Sequence, residues 1–243
     1  MSESLPALSL MQIALCLIPA VIVVWILWRW SLGAGEATYG LFRMLAQLLL
    51  AGYALNYIFA ANDARVTAAV LVLMFLFAVW IALRPLRRRS GGLFIVVSAA
   101  MITGGVSTLL FVLIGVLGVA PLNTPQLLLP LAGMAFANAM NTCSLGLERF
   151  FGEIARGESE RSARGISYRA AMIPTINSLF ATGIVSLPGT MTGQIMSGIS
   201  PHVAARYQIL VIGLLFGASG ISAACCLLWA PTTSVSASVS SQR

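Results

Sequence analysis

The polar side chains that could bind or pass a solute in this chain are neutral amides inside long apolar segments. Asn138 and Asn141 are three residues apart, so they would share one face of a helix. The full set of amides inside these segments is Gln47, Asn56, Asn138, Asn141, Asn177 and Gln194. Such amides either line a hydrophilic path or join helices by hydrogen bonds, and the pattern leaves both interpretations open.

Hydroxyls and glycines are concentrated in residues 174–198, which read "PTINSLFATGIVSLPGTMTGQIMSG". If this stretch is helical, one face carries a continuous small and polar stripe, namely Thr175, Ser178, Thr182, Ser186, Gly189 and Gly193. Pro188 lacks an N–H and crowds the carbonyl four residues before it, so a kink or break is expected there. Gly189 permits an unusual backbone, and Gly189 with Gly193 permits close approach by a neighbouring helix. The segment is either a broken binding helix of the transporter kind or a kinked packing helix.

Enzymatic and metal chemistry are disfavoured by the residue types that the apolar segments lack. They contain no Asp, Glu, Lys or His, which argues against a proton-coupled antiporter. The four cysteines have no C-x-x-C spacing and are expected to pack as buried small hydrophobic residues. The single histidine, His202, falls in a predicted loop. The "GASG" of residues 217–220 matches the serine motif of rhomboid-like proteases, but close helix packing explains it better because no base lies at that depth. We therefore predict no enzyme and assign no metal site.

The elements that must position these groups are membrane-spanning helices. The chain is 59% hydrophobic and only 9% charged, whereas a soluble domain carries about 25% charged residues. Segments of about 20 apolar residues can each cross the bilayer as a helix, and seven are predicted, at residues 8–30, 41–60, 66–83, 93–120, 126–147, 170–199 and 208–229. The predicted fold is thus an all-α integral membrane protein: one transmembrane domain over residues 1–230, with a cytoplasmic loop at 148–169. A Ser-rich, disordered tail is predicted at residues 231–243.

The basic residues predict the orientation of this bundle. All 14 are arginines, and all except Arg65 and Arg206 fall on one side of the predicted bundle. The positive-inside rule then places the N-terminus outside and the C-terminus in the cytoplasm. The arginines are divided among loops without interleaved aromatics, so nucleic-acid binding is not expected.

The absence of lysine limits how the protein could use ATP. A Walker A loop needs a lysine to reach the nucleotide phosphates, and this chain has none. Any ATP-driven role therefore requires a second polypeptide that binds the ATP, and no cofactor is expected in this chain.

Three segments resemble one family of transport proteins. Residues 173–209, "IPTINSLFATGIVSLPGTMTGQIMSGISPHVAARYQI", resemble the most distinctive block of the FetB-type permeases. That family includes bacterial iron-export permeases and plant aluminium-tolerance permeases. "RMLAQLLLAGYALNYIFAANDA" at residues 43–64 and "LPLAGMAFANAMN" at 129–141 are also similar to it. The resemblance covers about residues 41–229. It implies the membrane subunit of an ABC transporter, working as a homodimer with separate ABC ATPase chains in the bacterial cytoplasmic (inner) membrane.

Two features depart from that family. Ala137 stands where relatives often have Gly, and the segment 148–169 is short and lacks the Gly-Ala-Ser/Thr-Pro stretch that resembles a coupling loop. The first half of the segment 148–169 has apolar residues at helical spacing, which predicts an amphipathic helix that lies against the membrane or a partner. The candidate residues for contact with the ATPase are Arg149, Phe150, Phe151, Glu153 and Arg156.

The resulting hypothesis is a permease that moves a metal ion or other small solute out of the cytoplasm. The candidate path residues are Gln47, Asn138, Asn141, Asn177, Ser178, Thr182, Ser186 and Thr190, and the predicted gate is Pro188, Gly189 and Gly193. Iron as the substrate follows from the resemblance alone, because no metal-ligand cluster is evident. The alternatives are a membrane sensor or assembly protein without transport, and an ATP-independent carrier.

Overall fold

The computed structural model describes residues 9–61, 63–86 and 91–231. Within these residues every regular element is a helix, and the one β-type pairing is an isolated bridge between Thr182 and Ser186. The predicted all-α class is therefore confirmed. Residues 1–8, the arginines at 87–89 and the predicted Ser-rich tail beyond residue 231 lie outside the described residues. The chain divides into two compact units, Met1–Ala61 and Asn62–Arg243.

The described part of the first unit contains three helices: α1 (Leu10–Cys16), α2 (Ile18–Arg29) and α3 (Ala34–Ala61). Ser9 begins α1 with a capping box, because its hydroxyl accepts from the Gln12 N–H while the Gln12 side chain accepts from the Ser9 N–H. Gly33, with a φ of +76°, permits the turn into α3. Gln47 lies exposed on α3.

The second unit begins with α4 (Ala64–Ala82), whose first turn is capped by the Asp63 carboxylate 2.7 Å from the Arg65 N–H. A segmented helix follows: α5 (Gly91–Met101), a π-helical turn (Ile102–Val106), α6 (Ser107–Leu110) and a second π-helical turn (Phe111–Val116). After a short 3₁₀ turn come four more helices: α7 (Pro125–Ala155), α8 (Glu160–Ala181), α9 (Gly189–Met196) and α10 (Pro201–Trp229).

Five stretches of the described chain are helical, long and apolar enough to cross a membrane. They are Met11–Arg29, Ala34–Phe59, Ala64–Ala82, Gly91–Val116 and Pro201–Trp229. The predicted span at 126–147 lies within the continuous helix α7, whereas the predicted span at 170–199 is not a single helix. The count of seven spans and the orientation remain predictions.

Helices α7 and α10 form the centre of the second unit, and α7 also packs against α4 and α8. The Thr142 hydroxyl on α7 donates to the Ser219 carbonyl on α10 across 3.2 Å. Small residues bring the helices close: a Cβ on Gly217 would lie 3.0 Å from the Thr108 side chain, and one on Gly220 would lie 3.3 Å from the Tyr168 hydroxyl. These contacts support close packing as the explanation of the "GASG" sequence.

The cysteines partly follow the predicted packing role. Cys143 and Cys226 are fully buried in the apolar core, and Cys225 is half-buried. Cys16 is exposed, contrary to the expectation of burial. No group of three or more His, Cys, Asp or Glu residues in the described part of the chain is placed to hold a metal ion.

Residues 148–169, predicted as a cytoplasmic loop with an amphipathic helix in its first half, are mostly helical. Helix α7 continues to Ala155 and α8 begins at Glu160, so four residues connect them. Gly157, with a φ of +92°, ends α7 in a Schellman motif: its N–H donates to the Ile154 carbonyl and the Glu158 N–H donates to the Glu153 carbonyl. The helix up to Ala155 agrees with the predicted amphipathic helix, whereas the helix from Glu160 onward was missed, because charged residues on the surface of a helix resemble a solvated loop when tertiary contacts are unknown.

Candidate functional site

A cavity of about 140 Å³ lies between the middle sections of α7, α8 and α10. We call it the central cavity. Its polar groups are amides and hydroxyls from α7 and α8, and α10 contributes only apolar side chains. The lining residues are Asn138, Asn141, Thr142, Leu145, Ala171, Pro174, Thr175, Ser178, Leu179, Ile212, Leu215 and Phe216.

Helix α7 brings Asn138 and Asn141 to the same cavity, as their three-residue spacing predicts. The Asn138 Nδ2 donates to the Met134 carbonyl at 2.9 Å. That bond uses an amide donor and leaves the side-chain carbonyl oxygen as an acceptor. The Thr142 hydroxyl proton is likewise used within the protein, in its bond to Ser219. Thr142 therefore offers only lone pairs to a solute, whereas Asn138 keeps its side-chain oxygen and one amide N–H.

Helix α8 contributes Thr175 and Ser178 together with an internal proline. Pro174 lies inside α8 without ending it. Because proline has no N–H, the Ala170 carbonyl one turn earlier lacks its usual helical donor. The cavity thus has hydroxyls and a destabilised section of helix on the same wall.

Several predicted path residues lie elsewhere. Asn177 is exposed on α8 and does not line the cavity. Gln47 belongs to the other compact unit. Thr182 and Ser186 lie in the connection after α8, where a bridge pairs them.

Ala137, one of the two predicted departures from the family pattern, is exposed on α7. It directly precedes the cavity residue Asn138.

The predicted helix break exists but begins earlier than Pro188. Helix α8 ends at Ala181, and Gly183 adopts a φ of +88°. The Gly183 N–H donates to the Ser186 carbonyl at 2.9 Å, and the Ser186 N–H donates to the Ala181 carbonyl at 3.0 Å. Pro188 is instead the residue that precedes α9. Its fixed φ and missing N–H suit the start of a helix as well as the end of one.

The continuous polar stripe over 175–193 is therefore wrong, because residues 182–188 are not helical. Thr175 and Ser178 line the central cavity, while Gly189 and Gly193 belong to a separate helix. Gly189 has a helical backbone, so it does not provide the unusual conformation. A Cβ on Gly189 or Gly193 would meet no atom within 4 Å, so this pair makes no close helix contact within the part of the chain that the structure describes.

Helix α9 forms one wall of a second cavity, of about 390 Å³, at the amino-terminal end of α7. We call it the terminal cavity. Its lining residues come from the first turns of α7, from α9 and its following turn, and from α10: Gln126, Leu127, Pro130, Leu131, Met134, Thr190, Gly193, Gln194, Ser197, Ile199 and Tyr207. Thr190 on α9 donates its hydroxyl proton to Oε1 of Gln208 on α10, 2.5 Å away.

Sequence reasoning missed Gln208 and Tyr207 and placed Gln194 in no site. Gln208 is buried, with 6% of its surface exposed. The sequence could have indicated a paired role for Gln208, because a glutamine at the start of an apolar span needs a polar partner. That partner is Thr190, a predicted path residue. None of the described residues lining either cavity is Asp, Glu, Lys, Arg or His.

The turn between α7 and α8 carries a charge cluster centred on Glu153. This carboxylate is buried and lies 2.6 Å from the Arg149 guanidinium and 2.9 Å from that of Arg156. Phe150 is fully buried and packs against Phe151, with ring centroids 5.6 Å apart. The predicted amphipathic face is therefore largely covered by the chain itself, so Phe150 cannot meet a partner. Arg149 and Arg156 keep exposed surfaces.

The base of α8 is tied to the end of α10 by Arg164. Its Nε donates to the Leu227 carbonyl at 3.1 Å, and its Nη2 contacts the Glu160 carboxylate at 3.2 Å. The last carbonyls of a helix lack hydrogen-bond donors and carry partial negative charge. An arginine supplies both a donor and a positive charge. The three helices around the central cavity are thus connected at their charged end.

Comparisons with known proteins place this architecture in a family. The model of an uncharacterised protein family, UPF0014, matches residues 10–164 and 156–233. The probable iron export permease protein FetB of Escherichia coli (strain K12) is 31% identical over 208 residues, 79% of this chain and 75% of the relative. The membrane protein STAR2 of Oryza sativa subsp. japonica is 33% identical over 207 residues, 77% of this chain and 70% of the relative.

A third relative, the protein ALUMINUM SENSITIVE 3 of Arabidopsis thaliana, is 30% identical over 203 residues, 77% of this chain and 73% of the relative. The predicted resemblance to the FetB-type permeases is therefore confirmed. No solved structure matches the chain significantly.

Proposed function

This chain belongs to the UPF0014 family of membrane proteins, and from that premise we propose that it is the membrane subunit of an ABC-type exporter. It would move a small solute out of the cytoplasm through the central cavity. The observation that carries the proposal is the cluster of amides and hydroxyls from α7 and α8 in an otherwise apolar bundle. Polar groups inside a membrane protein are costly, and they mark solute pathways.

The open side of the central cavity supports a homodimer. Asn141, Leu145, Ser178 and Phe216 line the cavity and are exposed. Polar atoms on a lipid-facing wall are unfavourable, so a second copy against this side would complete the path. The cell membrane of a bacterium, with the α7–α8 turn in the cytoplasm, is the proposed location.

The hairpin formed by the ends of α7 and α8 is the proposed contact for a separate ATPase chain. It is rigid, since Glu153 binds two arginines and Arg164 joins α8 to α10. A rigid hairpin can transmit movement of an ATPase to the helices around the cavity without the missing loop. Arg149 and Arg156 supply exposed charge for the contact, while Phe150 and Glu153 hold the hairpin in shape.

The iron assignment comes from the name of the Escherichia coli relative. The central cavity offers neutral oxygen atoms, which suit a cation as well as other small solutes. An ATP-independent carrier is the second candidate, because only four residues connect α7 to α8 and the Glu153 charge is already neutralised within the chain.

The experiment is co-purification followed by transport. The tagged chain is extracted in mild detergent, and co-purification of an ATPase in near-equal amount supports the proposed ABC exporter.

The transport experiment uses the reconstituted complex. Uptake of radioactive Fe²⁺ into inverted vesicles is compared for Asn138→Leu and Asn177→Leu. If Asn138→Leu loses Fe²⁺ uptake and Asn177→Leu keeps it, the central cavity is supported as the path. If both variants lose uptake equally, or both keep it, the result contradicts that path. ATP-independent uptake by the chain alone supports the carrier.

A further inference from the structure

We propose that a groove formed by α4, α6, α7 and the π-helical turn Ile102–Val106 holds one acyl chain of a phospholipid, whose phosphate is bound by Arg65. We call it the apolar groove. Its volume is about 490 Å³, and all eleven of its lining residues are apolar. None of them lines the central cavity, so the site does not depend on the proposed transport function.

The apolar groove has a buried floor and an open side. Leu109, Leu128 and Phe136 are buried at its floor, each with at most 5% of its surface exposed. Val72 and Ile102 on its open side are 57% and 52% exposed. Both of these residues belong to stretches long and apolar enough to cross a membrane, so the open side faces hydrocarbon. Apolar cavities stay free of water and bind apolar ligands, and here the available ligand is a lipid chain.

The depth of the apolar groove matches one leaflet of a bilayer. Its deepest lining residues on α4 and α7 are Phe75 and Phe136, whose rings pack edge to face with centroids 5.6 Å apart. Each lies eleven residues beyond the first residue of its helix, which is about 16 Å along the helix axis. Half of a hydrocarbon core of about 30 Å is about 15 Å. An acyl chain of one leaflet would therefore extend from the helix starts to this aromatic pair.

The size of the apolar groove favours a single chain over a protein partner. A methylene group is close in size to a water molecule, which occupies about 30 Å³ in the liquid. The groove of about 490 Å³ thus has room for about 16 such groups, as in an ordinary phospholipid chain. A stable protein interface uses about 20–30 residues a side, whereas eleven line this groove. It is therefore too small to be the seat of a second copy.

The π-helical turn gives the apolar groove one of its walls. Gly104 of this turn packs so closely on Ser222 of α10 that a Cβ would overlap it. That contact directs Gly104 into the bundle, while Ile102 and Val106 of the same turn line the groove. Single π-helical turns inside α-helices are rare and occur frequently at functional sites. The turn therefore supports the groove as a binding site.

Arg65 supplies a positive charge at the surface end of the apolar groove. It is exposed in the first turn of α4, and the groove residue Val72 follows two turns deeper on the same face. Helix α4 also contacts the 3₁₀ turn Pro121–Asn123, whose first two residues line the groove at this end. The Asp63 carboxylate beside it accepts from the Arg65 N–H, and the described residues show no ion pair between the two side chains.

A phosphate is the partner that this arginine favours, because a guanidinium binds phosphate oxygens by charge-assisted hydrogen bonds. Arg65 is also one of only two arginines predicted on the side of the bundle opposite the rest. A lipid phosphate at the mouth of the groove gives this exception a role.

The test uses phosphatidylglycerol that carries a photoreactive diazirine in the middle of one acyl chain. The full chain is purified in mild detergent and illuminated with increasing amounts of this lipid, and the labelled residues are located by mass spectrometry. We expect labelling of the lining residues that saturates at about one lipid per chain. Val106→Phe should reduce it at least about tenfold, because the added ring displaces methylene groups from the groove. Ile95→Phe is the matched control, since Ile95 is exposed on α5 and does not line the groove.

A second pair of variants tests the phosphate contact. Arg65→Gln should weaken labelling about fivefold, the effect expected of one arginine near a lipid headgroup. Arg206→Gln, which removes the other arginine predicted on that side, should leave it unchanged. Equal labelling of these two variants overturns the phosphate contact.

Three outcomes overturn the lipid site itself. Labelling that rises without saturation shows only the lipid that surrounds any membrane protein. Labelling that Val106→Phe leaves unchanged places the lipid elsewhere, and no labelling of the groove shows that protein covers it. If Val106→Phe does not fold, Val72→Phe at the exposed edge of the groove replaces it, with the same expected loss.

Discussion

The Thr190 hydroxyl lies 2.5 Å from Oε1 of Gln208, and this hydrogen bond connects the short helix α9 to the long helix α10. Gln208 is buried, so its carbonyl oxygen depends on a protein donor. Helix α9 has eight residues and no buried residue of its own. This side-chain bond therefore adds to the packing of α9 on α10 that forms the wall of the terminal cavity.

The first prediction concerns that bond. Thr190→Val keeps the shape of the side chain but leaves the buried Gln208 oxygen unsatisfied, which costs about 1–3 kcal/mol. We expect lower thermal stability and faster hydrogen exchange in residues 189–196. Thr192→Val, whose hydroxyl bonds only within the same turn, should change neither. Equal exchange rates in the two variants would show that the bond does not hold α9.

The second prediction concerns the position of the helix break. Pro188→Ala should leave the break in place, because α8 already ends at Ala181. Gly183→Ala should destabilise the protein by about 1 kcal/mol, because its φ of +88° is unfavourable for a residue with a Cβ. Spin labels at the exposed positions 177 and 192 measure the distance across the break. A changed distance in Pro188→Ala, with none in Gly183→Ala, would assign the break to the proline.

The third prediction concerns the contact between Gly104 and α10. A Cβ on Gly104 would overlap the backbone and side chain of Ser222, so Gly104→Ala should cost about 1–3 kcal/mol. Gly165→Ala is the control, since a Cβ there meets no described atom within 4 Å and alanine favours helices. Thermal unfolding in detergent compares the two. A Gly104→Ala protein as stable as the control would contradict this packing.

The fourth prediction concerns the Glu153 cluster. Glu153→Gln removes the charge that holds Arg149 and Arg156, and we expect a loss of about 1–3 kcal/mol because the carboxylate is buried while both arginines are partly exposed. Binding of the proposed ATPase should fall with it. Glu158→Gln, at an exposed position in the same turn, is the matched control. Co-purification yields that match between the two variants would exclude a role for the cluster in that contact.

The sequence determined the features that depend on composition and local periodicity. Low charge and long apolar runs require a helical membrane protein, because lipid cannot satisfy an unpaired backbone. The three-residue spacing of Asn138 and Asn141 places both amides on one wall, since helix geometry fixes which neighbours share a face. The absence of lysine likewise excludes a Walker A loop in this chain, whatever the fold.

Only the tertiary structure decided which polar residues meet. Asn177 and Ser178 are adjacent in sequence, yet only Ser178 faces the central cavity, because the packing of α8 against α7 and α10 selects one side of the helix. The Thr190–Gln208 pair, 18 residues apart, forms because the chain reverses between α9 and α10. The charged residues from Glu160 onward, for which the sequence predicts only a loop, are helical, and Ala163 and Ser167 of this helix are buried by the rest of the bundle. Long-range burial decides each of these outcomes, and local sequence does not encode it.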